Sequence, residues 1–216
     1  MRQFWKILVS SFLMLLGMTF AQSSQRAVQS AKDPIQITSL NDGRFRFTTA
    51  SRRAVYNLRA NINGCTGTIF DFSTGKKFGG SVRARVIDQV SKPGLTYVVM
   101  QVTTNTGCNV QGMCGAGITT DLIWFKFDAN LKIITRASAM VADCATSTGI
   151  TEINNKPAAG LEDQELKLEM RGGALQLRYQ DDDFTNKITT VMTLRYDRKM
   201  PERGLVISSV KSKLKP

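Results

Sequence analysis

Histidine is absent from all 216 residues. Its absence removes Ser-His-Asp and Cys-His catalysis, imidazole acid–base chemistry and His-ligated metals together. The chemistry that survives needs paired carboxylates, a Ser-Lys pair or a metal held by oxygen ligands. Cysteine is sparse, with four residues, Cys65, Cys108, Cys114 and Cys144, and no C-x-x-C pair, so a four-Cys zinc site is disfavoured. Basic and aromatic residues do not interleave in the way that stacks bases, which argues against nucleic acid as a partner. Apolar runs long enough to cross a bilayer, roughly 20 residues, are lacking as well.

An uncharged apolar run spans Ile7 to Phe20, preceded by Arg2 and Lys6, with Thr19 and Ala21 at the small-residue positions of a cleavage site. That order predicts an export signal over residues 1–21, cut after Ala21, and a periplasmic or extracellular address. Where a lipoprotein carries a cysteine for acylation, this chain has Ala21, Gln22 and Ser23, so neither a lipid anchor nor integral membrane association is expected. Gln22 to Asp33 is polar and reads as a flexible lead-in. Without Arg2 and Lys6, the 29 basic side chains fall to 27 against 17 acidic.

An even cysteine count in an exported chain reads as two disulfides with three pairings open. The pairing expected is Cys108 with Cys114 and Cys65 with Cys144. By loop entropy the long link contributes about 4 to 5 kcal/mol and the short one about 2 kcal/mol.

Period-two alternation runs through nearly all of the remaining chain and helical periodicity through almost none. An all-β fold follows, an antiparallel sandwich or soluble β-barrel of about twelve strands over residues 34–216. A break at 154–163 is either a loop or a boundary before a C-terminal meander. A Gly172-Gly173 turn predicts a hairpin in which Met170 faces Leu175, Leu168 faces Leu177 and Leu166 faces Tyr179, with Lys167 opposite Arg178. A second hairpin around Asp128-Ala129-Asn130 predicts Phe127 opposite Leu131 and Phe125 opposite Ile133. Leu122 to Phe125 is apolar on both faces and predicts a central strand covered on both sides. Arg83 and Arg85, alternating with Val82, Ala84 and Val86, predict one polar face per strand, unlike a membrane barrel.

Three places invite a site. The segment Thr106 to Gly117 holds four glycines and two cysteines, and Asn109, Gln111, Gly112, Met113 and Gly115 form a candidate ligand-binding loop. Asp181 and Asp183, in the run Asp181-Asp182-Asp183 before Asn186, are a calcium candidate, with a solvated turn as the plainer reading and no metal otherwise expected. Asp71, Asp88, Asp121, Asp143, Glu165 and Glu169 are the strand carboxylates a glycoside hydrolase would need, yet none sits in a catalytic motif. Basic residues are scattered over many strands, Arg44, Arg46, Arg52, Arg53, Arg59, Arg83, Arg85, Arg136, Arg178, Arg195, Arg198, Lys199 and Arg203, and end in the tail Lys211, Lys213, Lys215, a field that draws polyanions. The function expected is an exported non-catalytic binding protein without cofactor, for a small apolar ligand or an anionic envelope polymer. A structural or interaction domain and a carboxylate-dependent hydrolase stand as alternatives.

Overall fold

The computed structural model describes residues 34–66, 68–71, 76–79, 82–105, 117–143, 148–158 and 166–214. The leader, the lead-in and the candidate ligand-binding loop therefore lie outside the described residues. Fourteen strands are present among those described: β1 (Gln36–Ser39), β2 (Arg44–Thr48), β3 (Arg53–Asn57), β4 (Thr68–Asp71), β5 (Lys76–Gly79), β6 (Arg83–Lys92), β7 (Leu95–Asn105), β8 (Ile118–Asp128), β9 (Ile133–Ala142), β10 (Gly149–Ile153), β11 (Lys156–Pro157), β12 (Ala174–Asp183), β13 (Ile188–Asp197) and β14 (Val206–Lys213). All strand pairs are antiparallel, in sheets β1-β2-β3, β4-β5, β6-β7-β8-β9 and β11-β10-β12-β13-β14, and none closes into a barrel. The fold is an all-β antiparallel sandwich.

The four-stranded sheet lies in the middle because the central stretches of β7 and β8, residues 97–100 and 122–125, are apolar on both faces. Val98, Met100, Val102, Ile123, Phe125 and Phe127 pack against Phe45, Phe47 and Leu58 on the side of the three-stranded sheet. Tyr97, Val99, Leu122 and Trp124 pack against Leu175, Leu177, Tyr179, Leu194 and Tyr196 of the five-stranded sheet. Phe47 meets Phe125 edge-on at 5.4 Å between ring centroids, and Phe125 stacks on Phe127 at the same distance. The covered central strand expected at Leu122 to Phe125 is thus present, in one side of each of two apolar layers.

Two registers differ from expectation. The Gly172-Gly173 turn forms, with φ of 59° and 82° and with Arg171 and Ala174 exchanging backbone hydrogen bonds of 2.8 and 3.1 Å. Beyond that bridge the expected ladder is missing: residues 166–170 are not a strand, and β10 occupies the edge of β12, with Ile153 opposite Leu177. The alternation was nonetheless sound, since Leu166 and Leu168 are buried in the second layer and Lys167 and Glu169 are exposed. No Lys167–Arg178 pair arises; Lys167 meets Glu169 at 3.1 Å and Arg178 meets Glu152 at 3.2 Å.

At the second hairpin Phe127 faces Ile133 and Phe125 faces Arg136, with an irregularity between Lys126 and Phe127. The Asp128 carboxylate accepts from the backbone N–H groups of Asn130 and Lys132 at 2.7 and 2.9 Å, and Leu131 takes φ 62°. That longer loop shifts the partners by two to three residues. Of the 154–163 break, Asn154 and Asn155 are a tight turn at φ 50° and 61° between β10 and β11, and 159–163 lie outside the described residues.

Candidate functional site

The most distinctive charged surface comes from the alternation Arg44-Phe45-Arg46-Phe47-Thr48. Phe45 and Phe47 are fully buried, which sends Arg44, Arg46 and Thr48 to the opposite face of β2. Antiparallel pairing sets Arg46 opposite Val55, Thr48 opposite Arg53 and Arg44 opposite Asn57, so all six side chains share the outer face of the three-stranded sheet. Arg44 and Arg46 are spaced by about 6.8 Å along the strand, and Arg53 lies diagonally about 7 to 8 Å from Arg46. Arg52 and Arg59, both exposed, flank the sheet in its turns.

Residues 34–66 contain these five arginines, no lysine and one acid, Asp42. Asp42 pairs with Arg44 at 2.6 Å. Among the described residues Arg46, Arg52, Arg53 and Arg59 have no carboxylate partner. The Arg46 Nε is shielded from solvent and has no acceptor among the described residues. An unmade hydrogen bond of that kind costs roughly 1 to 3 kcal/mol.

The strand carboxylates do other work. Asp121 is fully buried on β8, accepting 2.9 and 2.6 Å hydrogen bonds from the Asn63 backbone and side-chain N–H groups. Burial, resisted by those bonds and aided by the charge of Asp143, pushes its carboxyl up to about 6. Asp143, also buried, accepts from the Thr119 hydroxyl at 2.7 Å. Asp88 accepts from the Tyr196 hydroxyl at 3.0 Å, and burial followed by that neighbouring carboxylate drives the phenol well above its usual range. Glu169 is tied to Lys167, while the Asp71 side chain and Glu165 lie outside the described residues. Asp88, Asp121 and Asp143 thus tie backbone and layers together.

Asp183 is held by Asn186, whose side-chain amide and then backbone N–H keep the carboxyl below its usual range. Asp182 on the opposite face accepts from Gln180 and Thr189, and among the described residues no group of three acids or thiols could hold a metal ion. Cys65 is fully buried, bridges Asn105 through a 2.7 Å backbone bond and is not a free thiol. Cys108, Cys114 and Cys144 lie outside the described residues. Asn105 pairs with Ile118 across the segment containing Cys108 and Cys114, and the Thr119–Asp143 bond adjoins Cys144. Asn105, Ile118 and Asp143, described residues that flank 106–116 and 144–147, thus lie with Cys65 at one end of the central sheet.

A groove of about 360 Å³ lies between the β10–β11 hairpin and residues 167–171, lined by Ile153, Lys156, Pro157, Lys167, Glu169 and Arg171 among others. Sequence reasoning missed it because it had placed 165–171 in a ladder. It also read the arginines as scattered, although the Arg-x-Arg spacing on β2 was the signal that gathers them. No family model, no curated protein and no solved structure matches this chain.

Proposed function

We propose that this chain is an exported, non-catalytic binding protein that holds an anionic envelope polymer on the outer face of its three-stranded sheet. Four guanidinium groups, Arg46, Arg52, Arg53 and Arg59, carry the proposal: they cluster on and beside one layer without a carboxylate partner among the described residues. Net charge alone would serve solubility, but unneutralised charge concentrated on one face raises the local concentration of polyanions and their on-rate. The open sandwich, with side chains of two apolar clusters filling its layers, supports this use over an apolar small molecule held inside a barrel. Export behind residues 1–21 places the polymer in the envelope or outside the cell, and two disulfides, Cys65 with Cys144 and Cys108 with Cys114, suit that compartment.

One observation favours a second reading, a protein-interaction domain: every residue of the edge strand β14 is exposed, with Val206 at 51% and Val210 at 71%.

Binding to inorganic polyphosphate across a salt series tests the proposal. Each phosphate neutralised contributes about 0.7 to the slope of log K against log salt, as on single-stranded nucleic acid. Replacing Arg46, Arg52, Arg53 and Arg59 by Gln is expected to flatten that slope by about 3. An unchanged slope and affinity would remove the face from consideration.

A further inference from the structure

We infer that this face recognises tetrahedral oxyanions, phosphate or sulfate esters, by two-point guanidinium contact, and does not merely gather negative charge. The inference rests on the polyanion reading above and specifies its ligand.

Three observations lead there. The positive charge of residues 34–66 is entirely arginine, whereas residues 187–213 mix Lys187, Lys199, Lys211 and Lys213 with Arg195, Arg198 and Arg203. Lysine supplies charge equally well, but only the planar guanidinium fork offers two parallel N–H donors to one oxyanion. Next, Arg46, Thr48 and Arg53 are mutual neighbours on the outer face, Thr48 directly opposite Arg53 and two residues from Arg46. Two forks and one hydroxyl bring five donors to one place, and a carboxylate has about four lone-pair sites. A phosphate or sulfate group presents three oxygens and can take all five. Finally, the Arg46 Nε is buried without an acceptor among the described residues. An oxyanion that draws the side chain outward would supply that one N–H with an acceptor while the terminal nitrogens of the fork take the same group.

The test compares three probes, dextran phosphate, dextran sulfate and polyglutamate, on the wild type and on two double variants, Arg46→Lys with Arg53→Lys and Arg46→Gln with Arg53→Gln. Thermal melts establish that each variant is folded. Loss of about tenfold in dextran phosphate or dextran sulfate affinity is expected for the Lys variant, which keeps every charge, and at least as much for the Gln variant. The ester class with the larger loss in the Lys variant identifies the natural group, and equal losses identify the shared tetrahedral chemistry. Polyglutamate, whose carboxylates engage one fork at a time, is expected to lose clearly less than the tetrahedral probes on Arg→Lys. Should the Lys variant bind all three probes as the wild type does while the Gln variant weakens, charge alone matters and this inference falls with the polyanion face intact. An equal Arg→Lys loss with polyglutamate would overturn the tetrahedral assignment. Wild-type binding by the Gln variant would overturn the face itself.

Discussion

At the residue scale, Asp121 shows what a polar side chain inside a sheet does to stability. Its carboxyl, raised from 3.8 to about 6, is more easily protonated folded than unfolded. The penalty for burying its charge is therefore absent below about pH 4 and accrues as pH rises through 6, reaching about 3 kcal/mol. The stability difference between Asp121→Asn and the wild type should move in the variant's favour by that amount from pH 4 to 7.5, as read by urea midpoints. A pH-independent difference would contradict the assignment. Gly64, at φ 78°, leaves no room beside Asn63: an added Cβ would stand 2.3 Å from the Asn105 carbonyl oxygen and the Thr104 hydroxyl. Gly64→Ala is expected to lose about 3 kcal/mol by calorimetry, through overpacking and backbone strain. Neither role was visible in the sequence, where a polar residue on an alternating strand looks like a solvent-facing one.

Between residue and sheet, the strand-like stretch 166–170 shows why a correct pattern gave an incorrect ladder. Alternation reports which side chains are buried, and Leu166 and Leu168 are. It does not report what satisfies the backbone between them. Here Gln101, reaching from β7, donates to the Leu166 carbonyl and accepts from the Leu168 N–H at 3.2 Å, and Arg85 donates to the Leu168 carbonyl at 2.7 Å. Arg85, expected on a polar solvent face, instead points between layers. Gln101→Leu strips both partners at similar volume and is expected to destabilise by about 2 to 4 kcal/mol, with the Leu168 amide exchanging faster with solvent than its β12 neighbours. Retained protection at Leu168 would show that Gln101 is dispensable. The other exposed element, β14, carries Lys211 and Lys213 along its free edge, where charge discourages pairing with a second sheet. Changing both to Thr should increase self-association over the wild type in sedimentation velocity, and a variant that sediments as the wild type does would mean the edge is guarded by something else.

Across the whole molecule, the all-β class and the doubly covered centre were legible because hydrophobicity writes them directly: Leu122 to Phe125 is apolar on both faces and buried. Which outer sheet covers which face was not legible, since both present the same alternation to the centre. The gathering of arginines depended on that choice. Phe45 and Phe47 had to be assigned to the central sheet before Arg46 and Arg53 could be placed together outside. Nuclear magnetic resonance shift mapping during titration with polyphosphate tests the central claim most directly. Perturbed amides are expected in Arg44–Thr48 and Arg53–Asn57, fading as salt rises, with β12 to β14 undisturbed. Shifts confined to β12, β13 and β14, or none at all at low salt, would contradict it.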